Sequence, residues 1–217
     1  MKKGIFITLE GGEGVGKSTN MIYIKQLLED AGISVVTTRE PGGTEFAEKI
    51  RQLLLENRDE VVSEHAELLL MFAARAQHIH HQIQPALSRG QWVLCDRFTD
   101  ATFAYQGGGR NMDVKMIEWL EDKVQGTLRP DLTLLLDAPI EVGMDRAGKR
   151  GKLDRFESEE HSFFKRVRAT YLQRAEQNPQ QIKLINAAQS LTDVQSEIAI
   201  AIRKLLDEFL EQAKDER

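Results

Sequence analysis

A chain of 217 residues, 41% of them hydrophobic, has the apolar material for a full core and needs no disulfide or metal staple. Its net charge of −5 lacks the basic excess of a nucleic-acid-coating protein, although a nucleotide pocket needs only local cations. The single cysteine, Cys95, excludes an internal disulfide, and no apolar run approaches the roughly 18 residues that read as a membrane span.

The first predicted element is a strand over residues 5–9, β-branched and apolar enough to be buried. Gly11-Gly12-Glu13-Gly14-Val15-Gly16-Lys17-Ser18 follows and matches G-x-x-x-x-G-K-[ST] at every fixed position. Met21, Ile24, Leu27 and Leu28 then mark one face of a helix that Gly32 ends. Strand, glycine loop and helix in that order are the setting in which this motif holds a nucleoside triphosphate. Backbone N–H groups and the helix N-terminus cradle phosphate, the lysine reaches the β- and γ-phosphates, and the serine hydroxyl serves Mg²⁺.

A second strand is expected over residues 33–38, ending at Arg39-Glu40 and a Pro-Gly turn, with Thr44 capping the helix that carries Phe46, Ile50, Leu53 and Leu54. A long helix spans about 63–87, a third strand 91–95 stops at Asp96-Arg97, and the glycine run after Gln106 reads as a flexible loop. Helical spacing resumes over 112–124, and a fourth strand over 132–136 ends at Asp137, which is expected to cap the helix starting near Pro139. That helix runs into a glycine-broken basic segment, residues 146–155, which is either a solvated helix end or a mobile lid. A helix over 158–177, a short strand over 182–185 and a final helix opened by a capping box at Thr192 complete the chain. Alternating strands and helices without repeats or linkers predict one α/β domain with a five-stranded parallel sheet covered on both faces. Cys95 is expected to be a buried structural thiol. His78, His80 and His81 read as a solvated helix face, because no carboxylate or cysteine joins them at ligand spacing.

Ligands in such sheets bind beyond the carboxyl ends of the strands. There stand Glu10 and the glycine loop, Arg39-Glu40, Asp96-Arg97 and Asp137, so cations and carboxylates converge on one rim. A guanidinium fork suits phosphate, and a carboxylate suits Mg²⁺ or its waters.

Taken in order, the glycine-loop segment from Glu10 to Ser18, Thr38-Arg39-Glu40-Pro41-Gly42-Gly43-Thr44, Phe72-Ala73-Ala74-Arg75, Asp96-Arg97-Phe98, Ala104-Tyr105-Gln106-Gly107-Gly108-Gly109-Arg110 and Arg129-Pro130-Asp131-Leu132-Thr133 resemble the bacterial thymidylate kinase family of P-loop nucleoside-monophosphate kinases. The resemblance runs from the first strand through the basic segment. It implies a three-layer P-loop kinase fold with a lid at about 146–156, ATP as donor, dTMP as acceptor, Mg²⁺ as cofactor and a homodimer, while the lack of an apolar span and of a basic excess is read as a cytoplasmic protein without membrane or nucleic-acid partners. In this resemblance Gly11, Gly12, Glu13, Gly14, Val15, Gly16, Lys17, Ser18 and Thr19 bind ATP, and Ser18 and Asp96 serve the metal. Arg97 and Arg51 would grip the acceptor phosphate. Glu10 and Asp96 would organise the metal, its waters or the acceptor sugar, and Glu40 belongs to the same dTMP-binding set. Arg75 would bond the thymine O4, Thr102 and Gln106 would reach the base edge, and Tyr105 would crowd the sugar 2′ position.

Glutamate rather than arginine at position 13 goes with relatives whose cationic help comes from the lid, which makes Arg150 the candidate for transition-state stabilisation. Two positions depart from the family pattern. Met71 stands where many relatives carry the thymine-stacking aromatic, leaving Phe72 as the expected ring, and Ala101 replaces a frequent serine. A GTPase reading lacks N-K-x-D, a transporter ATPase reading lacks an LSGGQ-type signature, and a pure nucleotide sensor has no need of a lid arginine. A kinase acting on a nucleoside or a different monophosphate of the same fold is the nearest competitor, and Arg97 argues against a nucleoside because such an acceptor has no phosphate.

Overall fold

The computed structural model describes residues 4–148 and 154–215. Five parallel strands, β1 Phe6–Glu10, β2 Val35–Arg39, β3 Trp92–Asp96, β4 Leu132–Asp137 and β5 Ile182–Asn186, form one sheet in the order β2-β3-β1-β4-β5. All five expected strands are present, each displaced by no more than two residues. The central β1 pairs with β3 and β4, so the chain reverses its winding beside β1 and opens a crevice there.

Strand periodicity sorts the side chains. Ile7 and Leu9 face Ile24 and Leu28 of α1 (Lys17–Asp30) and Val194, Ile198 and Ile202 of α9 (Leu191–Asp215). Phe6 faces the other way, into a cluster with Val93, Ile83, Leu87 and Phe98. On that same side Thr8 shares a 2.8 Å hydrogen bond with Thr133, so two buried hydroxyls satisfy each other. Glu10 has the parity of Phe6 and Thr8. It therefore points under α8 (His161–Gln177), away from α1.

Thr44 caps α2 (Glu45–Leu55) as expected, its hydroxyl accepting from Ala47 N. Ser63 likewise caps α3 (Glu64–His78), which continues through a π-helical turn at Ile79–Ile83 into α4 (Gln84–Ser88) as one run. The capping box expected at Thr192 is instead built on Ser190, whose hydroxyl accepts from Asp193 N and donates to its carboxylate. Asp137 does not cap α7 (Ile140–Gly148); Arg168 of α8 lies within reach and takes both its oxygens at 2.7 and 2.8 Å. His78 is completely buried, contrary to the solvated face expected, whereas His80 and His81 are exposed. Cys95 is buried, and burial pushes its thiol well above the ordinary range.

The glycine run is not a loose loop. Behind α5 (Thr99–Thr102) the chain forms a π-helical segment, Phe103–Gly109, packed against α8 and followed by α6 (Val114–Gln125). Close approach explains the glycines: a Cβ at Gly109 would collide with the Phe163 ring, and one at Gly108 with Thr170. Gly109→Ala is therefore expected to destabilise the protein by about 1–3 kcal/mol, the usual cost of overpacking, and urea unfolding measures it. An unchanged midpoint would contradict this packing.

Candidate active site

The rim of the sheet holds a cavity of about 430 Å³ lined by residues that follow β1, β2 and β3 and by side chains of α2, α3 and the π segment. The expected residues Glu13, Gly14, Val15, Gly16, Lys17, Ser18, Thr19, Glu40, Arg51, Arg75, Asp96, Arg97, Thr102, Tyr105 and Gln106 all line it. Gly11 and Gly12 line a smaller adjoining hollow. Glycine is required at position 14, where φ is +66° and a Cβ would run into the Gly143 carbonyl of α7. Lys17 donates to the Gly11 and Gly12 carbonyls at 3.2 and 2.7 Å, folded back along its own loop, while Ser18 and Thr19 lie exposed on the first turn of α1. Burial, with Arg97 close by, lowers the Lys17 ammonium from its ordinary value.

The Glu13 side chain turns toward Arg97 and Tyr105. One of its oxygens accepts from Arg97 at 2.6 Å and from the Tyr105 hydroxyl at 2.7 Å. Burial opposes its charge, but Arg97 and Lys17 outweigh that and hold the carboxyl down to about 2. Arg97 lies over the Tyr105 ring at 4.7 Å and has a φ of +67°, a left-handed conformation that a non-glycine residue adopts at a cost. Three hydrogen bonds enforce it: Arg97 N to Leu9 O, Cys95 Sγ to Arg97 O, and Phe98 N to Glu10 Oε1.

That last bond corrects the role expected of Glu10. Its strand parity takes it away from the cavity, and its oxygens accept from Phe98 N at 2.6 Å and the Tyr171 hydroxyl at 2.8 Å. It braces Arg97 from behind and is not among the residues that line the cavity. Burial first, then Asp100, raises its pKa to about 7. A raised acid pKa contributes stability that is full below about 4.5 and lost as pH rises through about 7. Glu10→Gln removes that dependence, so from pH 4.5 to 8 the wild type should lose about 3 kcal/mol relative to the variant. Urea titrations of both proteins at the two pH values measure this, and parallel pH profiles would refute it.

Phe72 is the second correction. Its ring is buried among Leu68, Phe103, Ile117 and Leu120, between α3 and α6, and the side chain lining the cavity one position earlier is Met71. Arg75 runs between the Phe72 and Phe98 rings, at 4.8 and 5.0 Å from their centres. Its Nε donates to Glu40 Oε2 at 2.7 Å, and its Nη2 to Phe98 O at 3.1 Å and Thr102 Oγ1 at 3.0 Å. Nη1 is buried with no partner among the described residues. The buried Oδ1 of Asp96 is likewise unpartnered there, on the rim that Ser18 shares. Arg51 donates to Pro41 O at 3.0 Å, and burial, then Arg39, lowers its pKa.

Glu67 was not anticipated. This buried carboxylate of α3 accepts from Gln106 at 2.8 Å and pairs with Arg110 and Arg155, fixing the cavity residue Gln106 from outside. A signal existed: Glu67, Met71, Arg75 and His78 follow helical spacing along one stripe of α3. Arg150 lies outside the described residues. At the flanks of that stretch, Arg146 donates to Ala187 O and Arg155 to Leu54 O.

A phosphate-binding loop and a second set of cations and base-sized hydrogen-bonding groups in one cavity define a P-loop kinase. The thymidylate kinase family model matches residues 9–198. A thymidylate kinase of Pseudomonas savastanoi pv. phaseolicola is 57% identical over 204 residues, 94% of this chain and 97% of that protein, and one of Pseudomonas putida GB-1 is 60% identical over 195 residues, 90% and 93% of the two. The crystal structure of thymidylate kinase from Ehrlichia chaffeensis superimposes with a TM-score of 0.75 at 32% identity, covering 93% of this chain and 99% of that one. The chain belongs to the thymidylate kinase family, and it is a nucleotide-binding transferase of nucleotide biosynthesis.

Proposed function

We propose that the protein transfers the γ-phosphoryl group of ATP to dTMP, giving dTDP and ADP. The observation that carries the acceptor half is the free Nη1 of Arg75. It is a buried, unpartnered donor of a side chain that lines the same cavity as the phosphate loop, and it suits a keto oxygen on a pyrimidine edge. Thr102 and Gln106 stand beside it, Met71 offers an apolar surface to the base, and Tyr105 crowds the sugar. Arg97 and Arg51 neutralise the acceptor phosphate; Glu13 stays with the ATP-binding loop, and its carboxylate orients Arg97.

Ser18 and Asp96 fit Mg²⁺, since the exposed hydroxyl and the unpartnered carboxylate oxygen are the hard donors it prefers, the remaining ligands being phosphates and water. Held by these two residues, the ion would supply positive charge against the donor phosphates. Two polyanions must meet in line, so the work of this chain is to hold them close and cancel their repulsion. Lys17 serves the donor phosphates and Arg97 the acceptor. An acceptor phosphate is already ionised, so no side chain need act as general base. In the same reading of one domain, the segment at about 146–156 serves as the lid that excludes water, and Arg150, outside the described residues, stabilises the transferring group.

A homodimer is part of this reading, supported by the family and by exposed Leu69 and Trp119 on the packed helices α3 and α6. A cytoplasmic location without nucleic-acid or membrane partners belongs to the same reading; no helix among the described residues is long and apolar enough to cross a membrane. The test is ADP release with MgATP and each of dTMP, dUMP, dCMP, dGMP, UMP and thymidine. Strong preference for dTMP is expected; turnover of thymidine but not dTMP would overturn the assignment of Arg97.

A further inference from the structure

His78 is the fully buried member of the α3 histidines, and phosphoryl transfer has no use for it. Its Nδ1 lies 3.0 Å from Glu40 Oε1 and its Nε2 2.7 Å from Thr38 Oγ1. A carboxylate only accepts, so Nδ1 donates to Glu40, and Nε2 pairs with the Thr38 hydroxyl. The other oxygen of Glu40 accepts from Arg75 Nε at 2.7 Å. Glu40 is thus a bracket with His78 on one arm and Arg75 on the other. At 0, 3 and 4% exposure, His78, Arg75 and Glu40 have no water to replace a lost partner. Gly43, at a φ of +84°, closes over the ring; a Cβ there would strike both His78 Nε2 and Thr38 Oγ1, which holds the imidazole in place.

We propose that His78 is a positioning residue for acceptor selection. By donating to Glu40 it fixes the guanidinium plane of Arg75, and with it the position of the buried, unpartnered Nη1 that is left to bond an acceptor atom on the base. The inference rests on the reading of Arg75 as the base-contacting group. Without the Nδ1 donor, Glu40 Oε1 is left buried and unpaired. Arg75 is the cation already bound to Glu40, and its free Nη1 is the donor at hand. Once that nitrogen turns to the carboxylate, the cavity no longer distinguishes a pyrimidine with a 4-keto group from one with a 4-amino group.

The experiment measures kcat and KM for dTMP, dCMP and ATP in the wild type and in His78→Leu, His78→Asn and Arg75→Ala, with thermal melts to show that each is folded. In His78→Leu the dTMP-to-dCMP ratio of kcat/KM should fall about tenfold, mainly through the KM for dTMP, with the KM for ATP unchanged. His78→Asn places an amide nitrogen near the Nδ1 position and should keep the ratio within about threefold. If His78→Leu does not fold, His78→Gln, whose amide nitrogen falls nearer the Nε2 position, supplies the contrast with His78→Asn. An unchanged ratio in His78→Leu, or equal losses in the donor-keeping and donor-lacking variants, overturns the proposal provided that Arg75→Ala lowers the ratio. If Arg75→Ala leaves the ratio untouched, the reading of Arg75 itself is what fails, and the proposal goes with it.

Discussion

Lys17→Ala is expected to lower turnover with ATP and dTMP by roughly a thousandfold while leaving the fold intact. The two halves of that expectation have different causes. In the proposed mechanism the ammonium is the loop's own cation, and its removal leaves charge on the transferring phosphoryl group without the partner that stabilises it most as the bond breaks. Neutral alanine cannot recruit a substitute, because the nearby Arg97 is already held by Glu13 at 2.6 Å. Stability, in contrast, depends little on Lys17. Its two hydrogen bonds go to the Gly11 and Gly12 carbonyls, and Glu13 keeps Arg97 and Tyr105 when the lysine is gone. ADP release under saturating substrates, paired with a melting curve, tests both halves. Near-normal turnover in a folded variant would refute the mechanism.

The sequence disclosed the rim of this site well because strand ends are readable. An apolar run that stops at Arg39, Asp96 or Asp137 announces where the chain leaves the sheet, and the parallel order brings those ends together. It was less informative about which way a side chain turns there. Glu10 follows the same strand as the phosphate loop, yet its parity with Phe6 and Thr8 sends it under α8 to Tyr171. Counting by twos from the apolar residues would have shown this, had the two faces of a fully buried strand been distinguishable by composition; they are not. On α3 the ambiguity was angular. Met71 and Phe72 are one residue apart, and only the packing of α6 against that helix takes the phenyl ring and leaves the thioether facing the cavity. Composition misled at the glycine run 107–109, because the same residue that loosens a loop also lets a helix approach closely, and the neighbour that decides between them, Phe163, is more than 50 residues away along the chain. His78 failed for a similar reason: its partners, Thr38 and Glu40, belong to a different strand end, and no local spacing relates them.

Arg75→Ala should cost both stability and selectivity, unlike Lys17→Ala. Glu40 is a carboxylate with 4% exposure whose one permanently charged ion-pair partner among the described residues is Arg75, at 2.7 Å. Removing a single partner of a buried ion pair leaves the other uncompensated, which costs about 3–5 kcal/mol. The guanidinium also fills the space between the Phe72 and Phe98 rings and satisfies the Phe98 carbonyl and the Thr102 hydroxyl, so alanine adds a cavity to the unpaired charge. The double variant Arg75→Met with Glu40→Gln separates these contributions: it removes the charges together and keeps most of the volume, so it should recover a large part of the lost stability. Base selection should not recover, because no donor then stands where Nη1 stood. Urea unfolding of the single and double variants, read beside the dTMP-to-dCMP ratio of kcat/KM, makes the comparison. A double variant as unstable as Arg75→Ala would mean that the guanidinium's hydrogen bonds to Phe98 O and Thr102 Oγ1, lost in both variants, and not the buried charge on Glu40, dominate the energetics of this pocket.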